Sequence, residues 1–405
     1  MATNEQRLEL RRSRMKGSLP ILRGGFRPFF LASASWALFA LTIWLGILFG
    51  TVDIDSIDDP LAWHRHEMLF GFTGAAITGF VLTAVPNWTG RLPIAGTALA
   101  GLFALWLAGR VYPFAVPEQP IVSALLDGGF HIILAALLGR EIVRSGNRNL
   151  PVVGLIAVFG ITNLLDRFEM GGVSELQGLG WRGGLSLVLL LIALIAGRII
   201  PSFTRNWLAS HRASEPLPTQ ADRFDLSVLG LNVMALMCWT AAPMAPATGM
   251  LLILSGFANS LRLVRWQGWR CISDPLVVIL HIGYGWLATG LLLLGLSCFD
   301  LVTETAAIHA LTTGAIATMI LAVMTRATLG HTGRALSASR TTILSYTLLT
   351  AAAVMRVFAS FPMTQIDTLI AMAGSAWVIA FGLFLAEYGP MLWSSRIDES
   401  KDEEM

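Results

Sequence analysis

Charge is scarce in this chain. Only 13% of its 405 residues are Asp, Glu, Lys or Arg, against 55% hydrophobic, and the mean hydropathy is +0.66. That balance excludes an ordinary soluble domain and places most of the mass in lipid. Cysteine is nearly missing as well. Cys238, Cys271 and Cys298 are odd in number and form no C-x-x-C pair, which excludes a disulfide framework and a thiolate zinc site and leaves core or interfacial thiols. No C-x-x-C-H run is present, so haem is not attached covalently. No long polar stretch is left for a soluble domain. The net charge of +2 gives no basic patch for nucleic acid, and the Lys and Arg residues read as topology signals in contact with anionic lipid.

What is present is apolar length. At about 20 residues per span, twelve segments can be drawn, at 30–50, 67–88, 95–114, 120–140, 150–168, 182–203, 224–242, 246–264, 276–297, 305–327, 340–361 and 367–388. Arg7, Arg11, Arg12, Arg14, Lys16, Arg23 and Arg27 precede the first span, so the N-terminus is expected inside. Arg11-Arg12 resembles a twin-arginine signal, but no short apolar region with a cleavage site follows it. Alternating from there, the N-terminal segment, the inner loops and the tail hold 22 of the 28 Lys and Arg. Outer loops are acidic, with Asp53, Asp55, Asp58 and Asp59 in the first and Asp300 and Glu304 in another. The expectation is an all-α integral membrane protein of twelve helices with both termini cytoplasmic.

Two of these spans look like one helix written twice. His66-Glu-Met-Leu-Phe-Gly71 leads to Thr89-Gly-Arg91, and His309-Ala-Leu-Thr-Thr-Gly314 leads to Thr332-Gly-Arg334, 243 positions later. Pro28, Pro151 and Pro275 open spans 1, 5 and 9. Span 6 ends Pro201-Ser-Phe-Thr-Arg205, much as span 2 ends Pro86-Asn-Trp-Thr89. These agreements predict one transmembrane domain built as a pseudo-threefold repeat of four helices, 30–140, 150–264 and 276–388, between a segment 1–29 and a tail 389–405. Spans 2, 6 and 10 would be equivalent.

A histidine in an apolar helix costs free energy unless its ring nitrogens are engaged. His66 and His309 are matched in depth, which makes them candidates for the two faces of one haem iron. His64, two residues before His66, is a second metal ligand, the axial ligand in place of His66, or an interfacial residue. Haem propionates would take Arg65, Arg110, Arg182 and Arg356, which lie near the outer ends of their spans, or these side chains snorkel to headgroups. Asp127 and His131, four apart, share a face of span 4 as a metal ligand's carboxylate partner, a proton relay or an internal hydrogen bond. His281, a turn from Tyr284, and His331, beyond the end of span 10, are further imidazoles that copper would accept. His211, in a polar inner loop, reads as solvated.

Longer motifs carry a resemblance. Arg23-Gly-Gly-Phe-Arg-Pro-Phe-Phe30, Trp63-His-Arg-His-Glu-Met-Leu-Phe-Gly71, Leu82-Thr-Ala-Val-Pro-Asn-Trp-Thr-Gly90, Gly197-Arg-Ile-Ile-Pro201, Phe203-Thr-Arg-Asn206 and His309 through Arg334 resemble the NnrS family, in order and over almost the whole chain. The resemblance implies a twelve-helix bacterial inner-membrane protein with haem b and copper, associated with nitric oxide, denitrification and nitrosative stress. It carries His64, His66, His281, His309 and His331 within its motifs and leaves His131 and His211 outside them. The helix plan also resembles haem-copper oxidases and nitric oxide reductases. That analogy breaks at spans 6 and 7, which hold no histidine, and at span 10, which has one membrane histidine.

The leading expectation is a nitric oxide reductase-like protein that binds nitric oxide and reduces it to nitrous oxide. Asp127, Glu67 or Glu304 would feed protons, and a quinol or redox protein would donate electrons. The alternatives are a non-catalytic protein that binds nitric oxide or protects metal under stress, and a secondary transporter, for which Arg198, Asp127 and Asn163 within spans speak.

Overall fold

The computed structural model describes residues 6, 17–54, 57–115, 119–211, 216–362 and 365–397. Arg7, Arg11, Arg12, Arg14, Lys16, Asp55, Arg212 and Lys401 lie outside them. Among the described residues, twelve helices are long and apolar enough to cross a membrane: α1 Phe26–Leu48, α2 Pro60–Thr89, α3 Thr97–Ala115, α4 Pro120–Ser145, α5 Leu150–Met170, α6 Leu179–Ser210, α7 Arg223–Ala241, α8 Pro246–Arg265, α9 Pro275–Ser297, α10 Glu304–His331, α11 Arg340–Phe358 and α12 Ile366–Trp393. The chain is a multi-pass membrane protein. Its helix boundaries follow local chemistry. Proline occupies the first turn of α2, α4, α5, α8 and α9, where its missing N–H is not needed. Asp59 and Asp274 cap α2 and α9, and Gly90 and Gly146 end α2 and α4 in left-handed conformations.

The helices form two compact units. The first holds the residues up to Gly184 with Met324–Ala335 and the chain from Phe384 onward. The second holds Leu185–Val323 and Leu336–Leu383. Within the first unit, α4 packs most intimately on α5, and α2 lies against α1 and α4. Arg27, from the first resemblance motif, is buried there and donates to the Leu392 carbonyl at 2.9 Å, which satisfies the C-terminus of α12. Within the second unit, α8 pairs with α9, and α9 with α10.

The α4–α5 and α8–α9 hairpins repeat one contact. A Cβ on Gly128 would meet Leu164 atoms at 2.5, 2.8 and 2.9 Å, and a Cβ on Gly256 would meet Leu292 atoms at the same three distances. Only glycine permits that approach of helix to helix. The register of the crossing is therefore 128 residues, one helical turn more than the spacing of Pro151 and Pro275, because α9 begins one turn farther ahead of its crossing than α5 does. In that register Asp127 corresponds to Ser255 and His131 to Asn259.

α2 and α10 share a second feature. Each contains a π-helical turn, Glu67–Thr73 in α2 and Ala310–Ala317 in α10, beginning at the residue after His66 and after His309. Thr73 Oγ1 accordingly bonds the carbonyl five residues back, Met68 O, at 3.0 Å. Such turns are rare and concentrate at functional sites. No π turn occurs in α6. α2, α6 and α10 are also the most enclosed helices, with 72%, 72% and 67% of their apolar windows buried.

Candidate buried charge centre

Four helices of the first unit bring charged groups together. His66 and Glu67 stand nearly two turns inside α2, Arg110 near the end of α3, Asp127 nearly two turns inside α4, and Asp166 and Arg167 in the last turns of α5. Alternating chain direction puts all of these positions at one end of the bundle. Trp36 reaches in from α1. His66, Glu67, Arg110, Asp127, Asp166 and Arg167 are each 3% exposed or less.

Hydrogen bonds knit them into one network. Arg110 Nη1 and Trp36 Nε1 both donate to Glu67 Oε2 at 2.9 Å, and Arg167 Nη2 donates to Glu67 Oε1 at 3.0 Å. Asp127 Oδ2 accepts from Arg167 Nε at 3.0 Å and pairs with Arg110, while Asn163 Nδ2 donates to Asp127 Oδ1 at 3.1 Å. His66 lies between two carboxylates, with Nε2 2.7 Å from Asp127 Oδ2 and Nδ1 2.7 Å from Asp166 Oδ2. Two acceptors on one imidazole require either that His66 carry both N–H groups or that one carboxyl keep its proton. In both cases the three acids, two arginines and His66 sum to zero. Buried charges are tolerable in lipid only when paired in this way. Arg65, at the rim, approaches Asp166 at 3.4 Å and lies 5.1 Å from the Trp181 ring centroid.

Glycine makes the room. A Cβ on Gly71 would lie 2.7 Å from Arg110 Nη1 and Trp36 Nε1, and one on Gly74 would lie 2.5 Å from His131 Nε2. Gly74→Ala is expected to push His131 aside and cost about 1–3 kcal/mol as an overpacked core does. Thermal unfolding in detergent against wild type measures it, and an unchanged midpoint would refute the tight fit.

The other sequence candidates fall elsewhere. His131 is fully buried beside the network, its Nδ1 3.4 Å from Asn163 Nδ2. His64 stacks on Trp44 with centroids 4.6 Å apart. Arg182 lies over the Trp181 ring, and Arg356 bonds Ser360 Oγ at 3.0 Å. His331 packs against Phe26, and His211 is exposed and stacks on Trp207. Glu304 is an exposed acid in the first turn of α10. His309 and His281 belong to the second unit. Each points Nδ1 at the carbonyl four residues back, Thr305 O at 2.8 Å and Val277 O at 3.1 Å. A carbonyl only accepts, so Nδ1 of His309 carries the hydrogen and its Nε2 the lone pair, the tautomer a metal takes, while His281 Nε2 faces the Thr204 hydroxyl at 3.4 Å. Cys271 and Cys298 stay neutral thiols. Burial pushes Cys271 up to about 11 and raises Cys298.

The second unit holds a buried polar network that sequence reasoning did not anticipate. Arg262, near the inner end of the span expected at 246–264, is 3% exposed. It donates to Asp225 Oδ1 at 2.6 Å, to Ala193 O at 2.8 Å and to the Tyr284 hydroxyl at 2.9 Å. Tyr284 donates to Asn259 Oδ1 at 2.6 Å, and Asn259 donates to Asn232 Oδ1 at 2.7 Å. Beyond this network, at the exposed start of α7, Arg265 holds the Asp222 carboxyl below the usual carboxylate range.

One ligand atom each from His66, Glu67 and Asp127 lies within 4.8 Å of the other two, a buried group that could hold a metal ion. The model of the family described as "NnrS protein" matches residues 20–396. The chain belongs to the NnrS family. No curated protein matches it. The NnrS match takes in every residue of both buried networks, and the first resemblance motif, the π turns and the charge centre all fall inside it.

Proposed function

We propose that this NnrS-family chain is a metal-dependent protein of the bacterial inner membrane that binds nitric oxide and reduces it, two NO with two electrons and two protons giving nitrous oxide and water. The observation that carries the metal is the buried group of His66, Glu67 and Asp127. An imidazole with two carboxylates suits a divalent iron, copper or zinc ion. Its entry would release the proton shared by His66, Asp127 and Asp166, so metal is held less tightly as pH falls. For haem b the donor set differs. Both nitrogens of His66 already face carboxylates, whereas His309 turns Nδ1 to a backbone carbonyl, which makes Nε2 its acceptor nitrogen, and we assign the haem iron to His309. When bound, these metals supply a site for NO and a route for single electrons, which a quinol or redox protein would provide. The chain's own residues hold the charge: Arg110 and Arg167 fix Glu67 and Asp127, and the surrounding helices keep out bulk water.

Stoichiometric NO binding without turnover is a second reading. It is favoured by the arginine contacts on both carboxylates, which resist the rearrangements of a catalytic cycle. Metal analysis, visible spectra and headspace nitrous oxide, on wild type, Glu67→Gln and His309→Ala, separate the two. Wild type supplied with NO and a reductant is expected to yield nitrous oxide, Glu67→Gln to lose the non-haem metal, and His309→Ala to lose haem absorbance. Protein expressed with ample iron and copper that carries neither metal would overturn the proposal. Metal-loaded protein that binds NO and forms no nitrous oxide would leave the second reading.

A further inference from the structure

Five polar atoms beside the charge centre are buried with no hydrogen-bond partner in the protein: Trp106 Nε1, Arg110 Nε, Ser123 Oγ, His131 Nε2 and Asn163 Oδ1. Their residues are 4% exposed or less. All belong to α3, α4 and α5 of the first unit. Trp106 and Arg110 are one turn apart on α3, and Ser123, Asp127 and His131 lie one turn apart in succession on α4, so they form two rows. α3 packs on α4, and a Cβ on Gly109, beside Arg110, would touch the Asp127 backbone at 3.4 Å. Asn163 touches both Asp127 and His131. The row on α4 runs from Ser123 in the first turn to His131, eight residues later, roughly 12 Å at 1.5 Å per residue.

We infer that ordered water occupies this interface as a hydrogen-bonded file from Ser123 to His131. Buried polar atoms in folded proteins find partners, and where the chain supplies none, water does. The chemistry of the five atoms selects the occupant. Trp106 and Arg110 only donate, and Asn163 Oδ1 only accepts. Asn163 Nδ2 donates to His131 Nδ1, which leaves the N–H on His131 Nε2. An anion cannot donate to Asn163, and a metal cation cannot accept from Trp106 or Arg110. The neighbouring charges already sum to zero, so no ion is called for. A small neutral molecule that both donates and accepts fits.

The second hairpin supplies an independent comparison. At the positions equivalent to Asp127 and His131, Ser255 donates to Asn232, and Asn259 bonds Asn232, Ser255 O and Tyr284. The same helix pair thus folds with those positions satisfied by protein, and the orphaned atoms of the first hairpin are not a requirement of the fold. The water site stands apart from the proposed reaction. It rests on that reading only for its use, as the route by which the two protons of each cycle approach the centre from the α4 start.

Radiolytic hydroxyl labelling of the full chain in H₂¹⁸O reads trapped water directly, because radicals formed at a bound water mark the side chains beside it. Trp63 is the control, equally buried at 4%. Trp106 is expected to label several-fold faster than Trp63, with ¹⁸O incorporated, and Ser123→Val is expected to reduce that labelling. Equal rates for the two tryptophans in wild type would overturn the file whether or not Ser123→Val folds. Labelling of Trp106 unchanged by a folded Ser123→Val would overturn it too. Neither outcome depends on whether the protein turns over nitric oxide.

Discussion

Asp127→Asn is expected to destabilise the folded protein by about 3–5 kcal/mol, the cost of breaking one partner out of a buried charge group. Asp127 is the hub of the first unit. It faces His66 at 2.7 Å, accepts from Arg167 at 3.0 Å and from Asn163 at 3.1 Å, and pairs with Arg110. Removing its charge leaves Arg110 and Arg167 sharing Glu67 alone, a surplus positive charge shut away from bulk solvent. The amide also turns an N–H toward groups that already donate. The same variant removes one of the three candidate metal ligands, so metal content should fall with stability. Thermal or denaturant unfolding in detergent, beside metal analysis of the same sample, checks both. A variant as stable as wild type would show that the charge balance is not what holds these helices together.

Arg262→Leu in the second unit should cost a similar amount, about 3–5 kcal/mol, by leaving the buried Asp225 with the more distant Arg265, 3.8 Å away, as its remaining cation. Here the cure is simple. Asp225 and Arg262 form a pair at 2.6 Å, and the double variant Asp225→Leu/Arg262→Leu removes both charges together. It is expected to regain most of the lost stability, because an apolar pair in a membrane interior avoids the desolvation that the ion pair must offset. Tyr284 and Ala193 lose a donor in both variants, which sets the shortfall. A double variant no better than Arg262→Leu alone would mean that Arg262 acts through those two contacts and the Asp225 pairing is incidental. No such two-residue rescue is open to the first unit, where each carboxylate serves several donors.

The twelve helices were legible because lipid imposes length and apolarity on every span, and each predicted segment overlaps its helix. The charge centre was half legible. Topology leaves six arginines off the inner pattern, namely Arg65, Arg110, Arg167, Arg182, Arg198 and Arg356. Two of the six, Arg110 and Arg167, turn out to be the buried cations. Asp166-Arg167 went unremarked because an adjacent acid and base at a span's end read as interface, although Asn163 one turn earlier marks the same face. Arg262 was hidden for the opposite reason, since its place near an inner end satisfied the topology rule and asked for no partner. Sequence spacing paired His66 with His309. It could not show that His66 is held between Asp127 and Asp166, because those contacts join residues 61 and 100 positions apart.

The π turns of α2 and α10 amount to angular spacers. A π turn takes one residue more than the α-helix it interrupts, and each residue of an α-helix advances the side chains by about 100°. His66 and Glu67 therefore hold their bearing relative to Gly74 and the rest of α2 only while the extra residue stays in the π turn. Substitutions inside Glu67–Thr73 change what a side chain offers. Were that segment to relax to an ordinary α-helix with its residue count unchanged, everything on its N-terminal side would swing about 100° away from Asp127 and Asp166, with every residue of the centre still present in the sequence.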